Sequence, residues 1–163
     1  MPNILDIRLS SHFTLREMCH SDSAEEASLV NIPPDNALDL MQEFCREVLE
    51  PIRGKYGAVF INSGYRSPAV NRLVHGVAAS HHVWSHDHCA VDIALQVDLA
   101  EAYQWIRLAN LPYDQCILEH DKATGIPRCI HLGYTKAPRR MAGRGATNNQ
   151  SGYLWDDGGE DAG

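Results

Sequence analysis

A chain of 163 residues fits one domain and is long enough to bury a core without disulfide staples. Its 44% hydrophobic and 21% charged residues match the globular average, so composition gives no reason to expect an unusual class of protein. The formal net charge of −7 favours solubility and argues against a nucleic-acid partner, whose phosphates call for a basic surface. The opening MPNILDIRLSSHF lacks a basic stretch followed by an apolar core, so no secretory signal is expected. No apolar run reaches spanning length, so no membrane insertion is expected either. Five cysteines, odd in number and without a C-x-x-C pair, read as reduced thiols of a protein made in a cytosol.

In chain order, TLREMC places Glu17 three residues after Thr14, the pattern of a capping box on a short helix. Residues 20–34 are polar, end in Pro33-Pro34 and are expected to be a surface loop. From Asp35, Leu38, Met41, Cys45, Val48 and Ile52 recur at helical spacing, with Pro51 expected to kink the helix or start a new turn. AVFIN (58–62) suits a buried strand, and Ser67 is placed to cap a helix beginning at Pro68. AVDIAL (90–95) is a second strand, and Asp98 with Glu101 opens a helix through DLAEAYQWIRLANL. QCILEH (115–120) and RCIHLGY (128–134) are two further strands joined by a DKATG loop. The domain is expected to end at 141, with residues 142–163 forming a flexible, acidic, Gly-rich tail in which Tyr153, Leu154 and Trp155 are the only docking candidates. Helices followed by mixed strands and helices imply an α+β domain around a small, mostly antiparallel sheet.

The chemistry concentrates in SHHVWSHDHCAVDI, residues 80–93, which holds four of the nine histidines. Strand alternation sets Val91, Ile93 and Leu95 on one face and Ala90, Asp92 and Ala94 on the other. Asp92 thus has small neighbours and open space above it, and a buried carboxylate there needs a partner or a metal. His131 repeats the pattern in RCIHLGY, and a hairpin can bring Glu119 beside it. Singly, each residue has a plain structural reading: a core histidine, a turn aspartate, a solvated strand end. Together with the histidine-rich loop they make a metal site an equal alternative.

Several segments, in order, resemble the M15 zinc peptidases of the hedgehog/D-Ala-D-Ala-peptidase superfamily, especially the phage-type and bacterial branch that cuts peptidoglycan. These are HFTLREMCHSDSA, PPDNALDLMQEFCREVLEPIR, INSGYRSPAVNRLVHGVAASHH, AVDIAL, DQCILEH, CIHLGY and PRRM, across residues 12–141. The resemblance implies a hedgehog/DD-peptidase-like fold and a Zn2+ ion held by His82, Asp92 and His131. It further implies Glu119 as general base, Arg66 as a clamp on the substrate's carboxylate or carbonyl oxygen, and Ser80 at the substrate. Three nitrogen or oxygen ligands with one open position describe a catalytic zinc rather than a structural one.

One departure stands out. His82 and Asp92 are ten positions apart, where the family pattern has seven, and the extra residues bring His86 and His88. His81, His86 or His88 therefore remains an alternative or an additional ligand beside His82. The implied activity is hydrolysis of stem-peptide amides, of the L-alanyl-D-glutamate endopeptidase or the D-Ala-D-Ala carboxypeptidase type. The expected partner is the peptidoglycan stem peptide, met by a monomer made in the cytoplasm and acting on the cell wall as a phage lysin or virion component. The competing reading is a non-catalytic cell-wall-binding or virion module on the same fold; a hedgehog-like signalling domain is a weaker third.

Overall fold

The computed structural model describes residues 3–147 and 152–156. Its helices are α1 (Leu15–Cys19), α2 (Asp22–Glu26), α3 (Leu38–Phe44), α4 (Glu50–Tyr56), α5 (Pro68–Leu73) and α6 (Leu99–Leu108). The strands are β1 (Val59–Ser63), β2 (His88–Leu95), β3 (Gln115–His120), β4 (Pro127–Thr135), β5 (Met141–Ala146) and β6 (Leu154–Trp155). They form one sheet in the order β1-β2-β4-β3-β5-β6. Every neighbouring pair is antiparallel except β3 with β5, which is parallel. The architecture is α+β. No helix of the described residues is long and apolar enough to cross a membrane.

Short-range signals produce the helix ends. Thr14 and Glu17 close a reciprocal capping box on α1, Ser67 caps α5 ahead of Pro68, and Asp98 accepts from the Glu101 amide at the start of α6. The helix expected from Asp35 is broken up by Pro51. A 3-10 turn (Asp35–Ala37) leads into α3, and Cys45–Leu49 winds as a π-helix before α4. Proline offers no N–H and its ring crowds the carbonyl four residues earlier, and a wider turn just upstream accommodates both defects. The apolar face survives: Met41, Cys45, Val48 and Ile52 are fully buried against the sheet's Val91, Ile93, Ile130 and Leu132.

Two expectations are corrected. Residues 20–34 are not all loop: Ser21 caps α2, a helix too short and polar to show periodicity. Asn31 is buried there, donating to the carbonyls of Cys19 and Tyr65 while its oxygen accepts from the Ser67 amide. The second correction concerns the tail. Met141–Ala146 pairs with β3 and Leu154–Trp155 pairs with β5, so the sheet continues past 141. The Gly-rich composition has a packing cause. A Cβ on Gly143 would lie 2.8 Å from the Leu154 carbonyl oxygen and 2.8 Å from the Trp155 ring, so glycine makes room for β6. The remainder of the expected tail, 148–151 and 157–163, lies outside the described residues.

Candidate metal centre

Asp92 on β2 stands directly opposite His131 on β4, and Glu119 on β3 stands opposite Cys129, two residues before His131. Pleat alternation therefore puts all three polar side chains on one face of the sheet, with the core on the other. Ser63, at the bulged end of β1, pairs with Asp92 and carries the chain into Gly64-Tyr65-Arg66. That turn is held against α1. The Tyr65 amide donates to the Met18 carbonyl at 2.7 Å, and a Cβ on Gly64 would come within 2.3 Å of the same oxygen.

His82 arrives from a separate loop. The Ser80 hydroxyl accepts from the His82 amide, the Val83 amide donates to the Ser80 carbonyl, and the Arg66 amide donates to the His82 carbonyl. The loop between His82 and β2 closes on itself. Trp84, buried against Tyr65, donates its indole N–H to the Ala90 carbonyl at 3.0 Å. The Ser85 amide donates to the His88 carbonyl, and His88 Nε2–H donates to the Val83 carbonyl. The longer His-to-Asp spacing is thus taken up locally, and the ends of the loop stay together.

The three candidate ligands converge. Ligand atoms of His82, Asp92 and His131 lie within 4.8 Å of one another, and all three residues are buried. His82 Nδ1 faces the Gly64 carbonyl at 2.8 Å and must donate to it, so Nε2 presents its lone pair 3.3 Å from Asp92 Oδ1. His131 Nδ1 lies 2.8 Å from the same oxygen. Zinc bonds of about 2 Å in a tetrahedral set place ligand atoms roughly 3.3 Å apart, so the residues present fit that ion. The carbonyl behind His82 is the kind of outer partner that fixes ring orientation in such sites.

Of the other histidines, His86 is exposed beside Asp87, and His88 is turned toward Val83 and Ser85. His81 stacks on His88 at 4.7 Å, and burial followed by His88 lowers its pKa to about 4. Its Nδ1 is buried without a hydrogen-bond partner. None of the three belongs to the His82–Asp92–His131 group. Among the described residues a second group, His20, Asp22 and Glu25, is exposed, and surface contacts of this kind contribute little.

The surrounding charges push the two carboxylates apart. Burial raises the Asp92 pKa, but the neighbouring His82 and His131 outweigh it and hold it low. Glu119, only 5% exposed, is shifted upward by burial and then by the Asp92 charge, against the pull of His131, Tyr153 and Cys129. Its Oε1 accepts from the Tyr153 hydroxyl at 2.9 Å and its Oε2 from the Cys129 thiol at 3.5 Å. Arg66 donates Nε–H to Ser63 Oγ at 3.1 Å and brings Nη2 within 3.6 Å of Asp92 Oδ2. Ser80, expected at the substrate, lines the cleft but uses its hydroxyl to shape the His82 loop.

These residues line a cleft of about 1050 Å³, at the upper end of what small-ligand sites enclose. Its lining also includes a pair to which the sequence alone assigns no role. Asp114 of DQ-x-I-x-E and Arg139 of PRRM form a two-pronged ion pair, Oδ1 to Nε at 3.0 Å and Oδ2 to Nη2 at 2.7 Å. A family model described as Peptidase M15 matches residues 11–126. The chain belongs to the M15 peptidase family. The matched stretch contains Arg66, His82, Asp92 and Glu119 and ends before His131, which the sheet register brings to Asp92. A comparison with curated proteins finds no match. As an M15 member the chain is a peptidase, and its buried His-Asp-His group is where the zinc characteristic of that family fits.

Proposed function

We propose that this M15 peptidase hydrolyses amide bonds in peptidoglycan stem peptides, with His82, Asp92 and His131 holding zinc and Glu119 serving as general base. One observation carries the reading. Glu119, buried and with a raised pKa, shares a sheet face with Asp92 and His131, which with His82 form a buried group lining an open cleft. The substrate class rests on the resemblance of SGYRSP, DQ-x-I-x-E and IHLGY to the peptidoglycan-cutting branch.

Zinc, when bound, polarises a scissile carbonyl and brings the pKa of water toward neutrality. Glu119 takes the proton of the attacking water and passes it to the leaving amine, a contribution of roughly 10²–10⁴-fold. The carboxyl oxygen for this is Oε2, which accepts from the Cys129 thiol, a weak donor, while Oε1 already accepts from the Tyr153 phenol. Arg66 stands next to Asp92 and lines the cleft, where its guanidinium is suited to negative charge on the substrate's oxygen. The Gly64 carbonyl keeps the His82 ring in the tautomer that leaves Nε2 free.

The test is release of new amino groups from purified peptidoglycan, followed by mass spectrometry of the fragments. Cleavage between L-alanine and D-glutamate and loss of terminal D-alanine give different masses, so the same experiment assigns the bond. If zinc-loaded protein binds peptidoglycan but releases no amino group from any stem-peptide type, the non-catalytic binding module replaces this reading.

A further inference from the structure

We propose that Tyr153 is a positioning residue for Glu119, and that β6 completes the active site by holding it there. The inference rests on the function proposed above. Its starting point is the hydrogen bond from the Tyr153 hydroxyl to Glu119 Oε1 at 2.9 Å, made across 34 positions of sequence to a carboxyl that is almost wholly buried. A carboxylate with two equivalent oxygens rotates freely unless one is tied down. Here the phenol ties Oε1, and the weaker thiol contact leaves Oε2 to exchange a proton.

The segment carrying Tyr153 is anchored well beyond what its apolar content requires. Leu154 is 76% exposed, so β6 is not held by burying it. Instead Asp156 accepts from the Tyr103 hydroxyl at 2.6 Å and pairs with Arg107 at 3.3 Å and Arg144 at 3.4 Å. Its amide donates to the Ala142 carbonyl. Trp155 packs where Gly143 has no Cβ, and its ring meets Tyr153 edge-on at 5.9 Å. These contacts follow Tyr153 directly on the chain and hold the backbone that carries it, while the Trp155 ring packs against its own. The segment lies past the stretch matched by the family model, so this support for the base belongs to the part of the chain that the match does not describe.

The experiment compares wild type, Tyr153→Phe, Asp156→Asn, Glu119→Gln and the Tyr153→Phe/Glu119→Gln double variant, each as full-length zinc-loaded protein on peptidoglycan fragments. Tyr153→Phe keeps the ring and its packing and removes only the donor. The expected result is a fall in kcat of about 10-fold, with KM changed less than about 2-fold and with zinc content and Tm held. In the Glu119→Gln background the same change should cost less than about 2-fold, because no base remains to be positioned. Asp156→Asn, which loosens the anchor without touching the site, should lower kcat in the same direction. An unchanged kcat in Tyr153→Phe overturns the inference. So does a loss that follows zinc content or Tm, or one of equal size with and without Glu119. A wild type that releases no amino groups instead sinks the function proposed above, whereas an active wild type with a slow Glu119→Gln and an unimpaired Tyr153→Phe sinks this inference alone.

Discussion

Two carboxylates on one sheet face are shifted in opposite directions because their neighbours differ. Asp92 sits between His82, His131 and Arg66, three groups that favour its charged form. Glu119 has the Asp92 charge and burial acting on it in the opposite sense. Pairs whose surroundings separate their pKa values mark ligand and base, or base and acid. Glu119→Gln should therefore keep zinc and the fold while losing roughly 10²-fold or more in turnover, read as kcat and zinc content on the same preparation. Loss of the metal along with activity would place Glu119 among the ligands instead. Arg66 carries a double expectation, since its guanidinium meets both Asp92 and the cleft. Arg66→Ala should weaken substrate binding and turnover together, by about 1.5–3 kcal/mol for a charge-assisted contact. Arg66→Lys should restore little of it, because one ammonium replaces a planar fork whose Nε–H meets Ser63 while Nη2 faces Asp92.

At the scale of the elements, local signals were legible and long-range ones were not. The caps at Thr14, Ser67 and Asp98 act over three residues, and the alternation in AVDIAL reports a face directly. Local features of this kind point to every helix except α2, to four of the strands and to the face that carries Asp92. β5 and β6 carry no such signal. AGRGA alternates nothing, and its parallel partner β3 lies beyond an intervening strand, so only the folded sheet shows why glycine stands at 143. The Asp114–Arg139 pair is of the same kind: DQ and PRRM are recognisable strings, but their bonding to each other spans 25 positions. That pair joins the start of β3 to the turn before β5, where the Met141 amide also donates to the Asp114 carbonyl. Burial raises the Asp114 pKa, but Arg139 outweighs it and the net shift is downward. A depressed carboxyl stabilises the fold above its unfolded value, near 3.8, and loses that contribution as pH falls through the folded value. Asp114→Asn should thus cost about 1–2 kcal/mol at pH 7, the lower end because Arg139 is 42% exposed, and the gap to wild type should begin to narrow below about pH 3.8 and close only as pH falls through the lower folded value. Urea denaturation at both pH values measures it; a gap that persists in acid would mean the side chain acts through shape alone. Gly64→Ala tests a close approach. The Met18 carbonyl leaves no room for a methyl group, so β1 and α1 must separate and shift the carbonyl that orients His82. Both Tm and zinc affinity should fall, whereas an unaltered zinc affinity would show that the Gly64–His82 bond is dispensable.

For the molecule as a whole, the question is whether zinc builds the fold or finds it already built. The core argues for the second. Large side chains from α3, the π-helix, α4 and α6, among them Phe44, Leu49, Ile52, Tyr103 and Ile106, are fully buried against the strands on the face away from the triad. Without a metal the triad is still internally satisfied, since Asp92 accepts from His131 and His82 donates to Gly64. The metal-free protein should therefore fold, unlike a small zinc finger that has no core of its own. Zinc then stabilises by mass action alone. At free zinc about 100-fold above its dissociation constant the gain is about 2.7 kcal/mol, which for a chain of this size raises Tm by roughly 5–10 °C. Chelator should reverse the shift and leave a cooperative transition, and His131→Ala, folded but short of a ligand, should show no zinc response. Thermal unfolding followed by circular dichroism, with zinc, with chelator and with zinc restored, reads all three. A chelated protein with no transition at all would mean that the metal is structural, and the open coordination position that hydrolysis needs would have to be reconsidered.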